Sequence, residues 1–438
     1  MTRSRTTNST PNTPTGATSP ASPRMSNKAK TTAMKNDGKP ALTPKLRFPE
    51  FQDAEGWDEK EVGEVFQVTR GDVLSMKLVR DTKTAEMPYP VYSSQTKNNG
   101  LSGFYSDFLF EDAITWTTDG ANAGDVNYRP GKFYCTNVCG VLLNSEGFAN
   151  PCVAALINSV SRKYVSYVGN PKLMNGVMSK IGIPFPSVTE QQKIAECLTS
   201  VDELIAAQAR KVDALKTHKK GLMQQLFPRE GETQPRLRFP EFQSAGEWVV
   251  KSIGQLGEVV TGSTPSTARP EYYGGDRLFV SPSDISDGRF IEKTKTTLTA
   301  LGFEKTRPIK ANSILFVCIG STIGKIAQNR HESATNQQIN SVVPNSNNTD
   351  GFVYYALSGL ADKIANLAGI QAVPIVNKSL FSSVELLVPM LPEQQRIADC
   401  LTSLDNLIAA QTQKLDALKT HKKGLMQQLF PSTEEVEA

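Results

Sequence analysis

EQQKIAECLTSVDELIAAQARKVDALKTHKKGLMQQLFP, residues 190–228, recurs at residues 393–431 as EQQRIADCLTSLDNLIAAQTQKLDALKTHKKGLMQQLFP, with seven differences in 39 positions. Apolar residues Ile194, Leu198, Val201, Ile205, Val212, Leu215, Leu222 and Leu226 follow 4-3 spacing, interrupted by Gln208 and Lys219 on the same stripe. The second copy repeats this with Ile397, Leu401, Leu404, Ile408, Leu415, Leu418, Leu425 and Leu429, interrupted by Gln411 and Lys422. A heptad seam held for five repeats predicts a coiled-coil helix. Each helix should start near Thr189 or Pro392 and stop before Pro228 or Pro431, because proline suits a first turn and terminates a last one. Lys216, Lys219 and Lys220 crowd the C-terminal end, where the helix dipole favours cations. One such helix would ordinarily be core; two near-identical copies can satisfy each other's seams. An antiparallel pairing would bring Gln208 close to Gln411, a polar contact able to fix register. About 37 residues at about 1.5 Å each make a rod of about 55 Å, expected to hold two variable domains apart.

Working outward, a second echo opens each half. Pro44-Lys-Leu-Arg-Phe-Pro-Glu-Phe51 returns as Pro235-Arg-Leu-Arg-Phe-Pro-Glu-Phe242, and Trp57 returns as Trp248 at the same offset of 191. The helices are offset by 203, so the segments between the echoes have diverged while their frames were kept. The expected layout is a Ser/Thr/Pro-rich tail (1–43), a first head (44–189), a first spacer helix (190–228), a linker and second head (229–392), a second spacer helix (393–431) and a short tail (432–438). The N-terminal tail has almost no large apolar side chains, so disorder is expected there.

The chain's 438 residues suggest about three globular units. Its hydrophobic share of 39% allows real cores, while no apolar run approaches the length of a bilayer span. The net charge of +4 lies in the tail, where seven basic residues face only Asp37; the remainder is slightly acidic. Any nucleic-acid surface must therefore come from local clustering. Six cysteines (135, 139, 152, 197, 318 and 400) are too few and irregular for a disulfide framework, which points to a reducing cytoplasm. The Cys135-x3-Cys139 pair lacks a second pair or enough histidines to complete a zinc site, so no metal is expected.

Between the echoes the pattern is mixed, with short β-branched runs, Gly/Asn/Asp turns and helical stretches at 151–163 and 351–367, so both heads are expected to be α+β. Faint kinship links them. Val91-Tyr-Ser-Ser94 resembles Val280-Ser-Pro-Ser283; Asp112 to Gly124 aligns with Asn312 to Gly324, keeping Gly120 and Gly124 as Gly320 and Gly324; Thr136-Asn137 resembles Thr335-Asn336. Gly320-Ser-Thr-Ile-Gly-Lys325 is not a phosphate loop, since its glycines are one residue too close and Ile326 replaces the magnesium-binding hydroxyl. A strand-turn-strand is expected instead. Asp58-Glu59-Lys60 could suggest a nuclease, but Trp248-Val249-Val250-Lys251 in the second half lacks the acids, so surface charge is the better reading. No Asn-Pro-Pro-aromatic methyltransferase motif is present, and catalytic residues are expected to be absent.

The heads do carry side chains suited to base edges and phosphates: Ser93, Ser94, Gln95, Lys97, Asn98, Asn99 and Asn122 in the first, and Thr264, Ser266, Ser283, Ser321, Thr322, Lys325, Asn336, Gln337 and Gln338 in the second. Asn and Gln can pair bidentately with adenine, Lys with guanine, and hydroxyls with phosphate.

A variable domain ending in Ile183-Pro-Phe-Pro186 or Val388-Pro-Met-Leu-Pro392, then Glu-Gln-Gln-x-Ile-Ala and a long heptad helix, all duplicated, resembles the DNA-specificity subunit of type I restriction-modification systems. Gly262-Ser-Thr-Pro-Ser266 and Ile319-Gly-Ser-Thr-Ile-Gly324 are similar to that family's target-recognition domains; the first head departs with Gly71-Asp-Val. The resemblance covers roughly 44–431. It implies two target-recognition domains separated by two antiparallel helices with pseudo-twofold symmetry. Each domain would read half of a bipartite double-stranded DNA site. Two modification subunits would dock on the chain, with restriction subunits joining through them. S-adenosylmethionine, ATP and magnesium would belong to those partners, with no cofactor in this chain. A coiled-coil adaptor with two protein-binding heads is the alternative, and an autonomous nuclease a weaker third.

Overall fold

The computed structural model describes residues 42–94, 98–286, 288–369 and 373–431. The predicted tails at 1–43 and 432–438 therefore lie almost wholly outside the described residues. The chain divides into two units, residues 1–197 with 425–438, and residues 198–424. The first spacer helix, Val188–Leu226, begins in the first unit and runs into the second. The second, Leu391–Leu429, begins in the second and ends in the first. Both begin one residue before the expected proline or threonine and stop short of Pro228 and Pro431.

In the first unit, strands Gln67–Arg70, Cys139–Leu143, Phe110–Thr117, Val126–Cys135, Tyr89–Tyr92 and Leu101–Tyr105 lie side by side in that order. All are antiparallel except the pairing of Tyr89–Tyr92 with Val126–Cys135. Helix Pro151–Ser161 covers the sheet. Asn150 caps it by accepting from the Val153 amide, and Pro151 sits where no amide is needed. Its apolar face buries Val153, Ala154 and Ile157 with Ile114, Trp116 and Leu142. A two-stranded ribbon, Asp58–Glu61 with Gly182–Phe185, joins the start of the head to the strand that feeds the spacer helix. All four residues of Asp58–Glu61 are exposed, as expected for surface charge.

The second unit repeats this scheme. Strands Gly257–Thr261, Ile339–Pro344, Ile314–Val317, Ile326–Asn329 and Phe290–Ile291 form one sheet. Thr296–Leu298, Tyr273–Val280 and Ala334–Thr335 form another. Val249–Ser252 pairs with Glu385–Val388 in the feeding ribbon. Helices Asp350–Gly359 and Ala361–Asn366 replace the single predicted stretch, broken at Leu360.

Equivalent backbone bonds correct two of the expected alignments by one residue. Gly71 N–Cys139 O corresponds to Gly262 N–Ile339 O, and Thr118 N–Val138 O to Cys318 N–Gln338 O. Thr136 N–Tyr92 O corresponds to Asn336 N–Val280 O. Thr136 thus stands where Asn336 does, and Tyr92 where Val280 does, so matching Thr136 to Thr335 and Val91 to Val280 is out of register. Strand pairing sets the register, and a repeated Thr-Asn or Val is too short a signal to compete with it. The Gly120–Gly124 and Gly320–Gly324 match holds. All four glycines have φ between 89° and 95°, the left-handed region in which only glycine is unstrained, and each pair turns one strand into the next.

The spacer helices pair antiparallel within the second unit. The Gln208 amide donates to Gln411 Oε1 at 3.0 Å and to the Gln411 carbonyl at 2.8 Å. Lys422 Nζ meets Asp202 at 2.6 Å, and Lys219 meets Asp405. Moving each of these two ion pairs by the repeat offset of 203 produces the other, so the pair is two-fold about Gln208 and Gln411. The lysines that break the apolar stripe are therefore partners for acids on the facing helix. Val212 is 4% and Gln208 8% exposed, while Val201, Ile205, Leu215, Leu404, Ile408, Leu415 and Leu418 are half-buried along the seam. At the helix starts the stripe serves the heads as well, for Ile397 and Leu401 belong to the second head's core beside Trp248 and Phe352. Ile194 and Leu198 are equally buried.

Candidate nucleic-acid interface

What positions each head on its helices is the contact between the two echoes. Arg47, from the first, donates Nε and Nη2 to the two oxygens of Glu190 at 2.7 Å each, and Trp57 Nε1 donates to the same carboxylate at 3.0 Å. Arg47 also donates to the Ala54 and Glu55 carbonyls. In the second unit Arg238 grips Glu393 at 2.8 and 2.7 Å, and Trp248 Nε1 lies 3.4 Å from it. Beside each acid, Gln191 and Gln394 are 1% exposed and donate to the carbonyls of Pro186 and Pro389. The Leu46 amide donates to Gln428 O and the Leu237 amide to Gln225 O. Each strap thus ties the start of one spacer helix and the end of the other. A bidentate carboxylate offsets the desolvation of a buried arginine, and this explains why Arg and Glu recur together. The residues carrying this were visible in both echoes, but nothing in a linear repeat showed that the echoes touch.

In the second head, Thr264, Asn336, Gln337 and Gln338 come together among the expected DNA-contacting residues, while among the described residues no hydrogen bond joins Ser266 or Ser283 to them. Thr264 Oγ1 donates to Gln337 Oε1 at 2.6 Å, Asn336 Nδ2 to Gln338 Oε1 at 3.0 Å, and Gln338 Nε2 to the Ile319 carbonyl at 3.4 Å. Gln338 therefore joins this knot to the turn carrying Ser321, Thr322 and Lys325. Lys325 Nζ reaches the Ile285 carbonyl at 3.2 Å, close in sequence to Ser283, whose hydroxyl lies 2.9 Å from that of Ser281. Thr264, Ser266, Ser283, Ser321 and Lys325 are exposed. Gly262 allows the loops to meet, since a Cβ there would fall 2.2 Å from the Asn336 carbonyl oxygen. Gly71 has the same role, with a Cβ 2.0 Å from the Cys135 carbonyl oxygen. The first head's departure at Gly71-Asp-Val changes side chains and leaves this close approach intact.

In the first head, Gln95 and Lys97 lie outside the described residues. Asn98 and Asn99 are exposed with φ of 51°, a left-handed conformation asparagine tolerates. Ser94 is half-buried, and Ser93 Oγ accepts from Thr136 Oγ1 at 2.9 Å. Ser93, Asn99 and Asn122 share the wall of a cavity of about 200 Å³ with Arg129, a residue the sequence did not single out. Arg129 is 8% exposed and stacks 3.8 Å from the Tyr92 ring centroid. Burial holds its guanidinium below the ordinary arginine value.

Cys135 and Cys139 are buried at the facing ends of two strands that flank Phe110–Thr117, the Cys135 thiol directed at the Cys139 carbonyl. Among the described residues no group of three or more metal-ligating side chains gathers, and no helix is long and apolar enough to cross a membrane.

The family described as type I restriction modification DNA specificity domain matches residues 54–217 and again 245–420. The chain belongs to this family. Each copy spans one head and most of its spacer helix. A putative type I specificity subunit N-terminus from Mycoplasma pneumoniae is 39% identical over 140 residues, covering 31% of this chain and 73% of that protein. The specificity subunit of the HindI type I restriction enzyme from Haemophilus influenzae is 33% identical over 147 residues, 32% of each chain. A second putative type I specificity subunit of M. pneumoniae is 25% identical over 353 residues, 80% of this chain and 89% of its own length. The crystal structure of a type I restriction-modification S subunit from M. genitalium shares the fold with a TM-score of 0.62 at 18% identity, over 90% of this chain and 100% of that one. The family's members are specificity subunits, and this chain is one component of a type I restriction-modification system.

Proposed function

We propose that each head reads one half of a bipartite double-stranded DNA site, that the paired helices set the gap between the halves, and that two modification subunits dock on the chain through its internal two-fold. The observation that carries this is the exchange of Asp202–Lys422 with Lys219–Asp405 about Gln208 and Gln411. A two-fold frame presents the same docking surface twice, so one chain accommodates two copies of a partner. The polar patch of the second head and the Ser93, Asn99 and Asn122 group of the first are the DNA-contacting surfaces in this reading, with Asn and Gln read against adenine edges. The heads have diverged inside a preserved frame, which supports separate recognition of two different half-sites. Restriction subunits join through the modification subunits. Those partners supply S-adenosylmethionine, ATP, magnesium and the catalytic groups, and this chain contributes none.

Two measurements test it. Native mass spectrometry of the assembled complex should give two modification subunits per chain, and a complex that stays one-to-one at excess partner refutes the docking scheme. Exchanging residues 243–389 for a relative's segment should change one half of the methylated sequence only, because well-separated base contacts are roughly additive. Methylomes with both halves altered would show that the heads do not read independently.

A further inference from the structure

The two heads fill one place in the same fold differently. In the second head, Val280, Leu315, Val317, Ala327 and Ile339 form part of a fully buried apolar cluster. The corrected register puts Tyr92, Thr115, Thr117, Asn127 and Cys139 at the same positions of the first head. There they surround or adjoin the 200 Å³ cavity instead of closing it. The fold packs with aliphatic side chains at these positions, so stability does not require the polar set.

Arg129 sharpens the contrast. Its counterpart, Asn329, spends its amide on the Lys310 and His331 carbonyls and on Ser333 Oγ, and accepts from the Ser313 amide. Arg129 donates Nε to Thr115 Oγ1 at 3.0 Å and Nη2 to the Asn99 carbonyl at 2.6 Å. Those bonds engage two of five guanidinium donors. No carboxylate of a described residue pairs with it, so a buried cation is met by neutral groups alone. Such a charge is costly to bury and persists where a ligand uses it. Asp125 also lines the cavity and is ion-paired with the exposed Arg162. A carboxylate there disfavours phosphate and suits a neutral ligand with acceptors on one edge and donors on the next.

We propose that this cavity of the first head binds a guanine base, with Arg129 donating to O6 and N7 and Asp125 accepting from N1–H and the N2 amino group. Among the four bases only guanine offers that pair of edges. The proposal rests on the reading that this head recognises DNA. A cavity of this size admits one base and no base pair, so the guanine enters by leaving the stack.

The test uses the full chain assembled with its modification subunits. Free guanosine, titrated in parallel with adenosine, cytidine, thymidine and inorganic phosphate, should bind the complex selectively. Equal binding of adenosine, or displacement of guanosine by phosphate, overturns the proposal. Methylome mapping should find a guanine in the half-site assigned to the first head by domain exchange, and a half-site with no guanine on either strand overturns it as well. Replacing that guanine by 7-deazaguanine should weaken binding about tenfold or more for the natural chain and hardly at all for Arg129→Gln. A variant filled as the second head is, Thr115→Leu with Asn127→Ala and Arg129→Asn, should melt no lower than the natural chain, lose selectivity at that one base and keep the other half-site. Unchanged selectivity in the folded, filled variant refutes the proposal. Failure of the complex to bind any DNA would instead remove the reading beneath it, while the guanosine titration still decides the cavity.

Discussion

Replacing Arg47 by alanine should be among the most damaging single changes in the first unit. Glu190 is 1% exposed and accepts two charge-assisted bonds from Arg47, so its removal leaves a carboxylate in the core with Trp57 Nε1 and no countercharge. Breaking one side of a buried pair costs about 3–5 kcal/mol. For a unit of roughly 200 residues, where about 1 kcal/mol moves the melting point by about 2–4 °C, the first transition should fall by about 6–20 °C. Arg238→Ala should do the same in the second unit, because Glu393 is held identically. Two controls separate charge from shape. Arg47→Lys keeps the charge but loses the fork, and should recover part of the loss. Arg47→Met with Glu190→Met removes both charges and should recover most of it, since a buried pair exchanged for apolar groups is often neutral. Calorimetry and urea unfolding of the natural chain and these variants provide the numbers. A loss under about 1 kcal/mol for Arg47→Ala, or a double variant as unstable as the single, would show that the strap does not depend on this pair.

Two further outcomes follow from the helix pair. Adding one heptad after Leu215 and after Leu418 keeps the seam and lengthens each helix by about 10 Å, so methylome mapping should show a gap wider by roughly three base pairs with unchanged half-sites; an active variant with the original gap would place the ruler elsewhere. Gln411→Leu alone strips Gln208 of its side-chain partner and should cost about 1–2 kcal/mol in urea unfolding, whereas Gln208→Leu with Gln411→Leu should be at least as stable as the natural chain; the reverse order would mean that the glutamine pair is not what sets the register.

Much of the frame was legible because repetition makes its own control. Gln208 and Gln411 break an apolar stripe at the same place in both copies, which turns an apparent defect into a partner. The Gly320–Gly324 turn was equally readable, since its glycines stand too close for a phosphate loop and the sister segment keeps both of them. The interior of the heads was less accessible. Val280 and Tyr92 are related through the parallel strand each faces and the backbone bond each accepts just beyond it, and a one-residue slip in a diverged segment leaves no trace in composition. Arg129 escaped notice for a similar reason. Its significance lies in having no carboxylate partner among the described residues, and a sequence shows neighbours in the chain without showing which neighbours are absent in space.

The unequal divergence of frame and heads has a physical origin in how many partners each residue must satisfy. A seam residue such as Val212 faces a helix whose own residues face it in return, so a change in one copy is felt by the other. Glu190 is held more tightly still, by an arginine, a tryptophan and the burial that makes both obligatory. Thr115, Asn127 and Arg129 answer to one cavity in one head, and their counterparts Leu315, Ala327 and Asn329 satisfy the same strands without it. Such a position can change without disturbing the helices, the straps or the other head. A protein that must alter what it reads while keeping how it assembles requires that separation, and here it coincides with the boundary between residues that touch the frame and residues that do not.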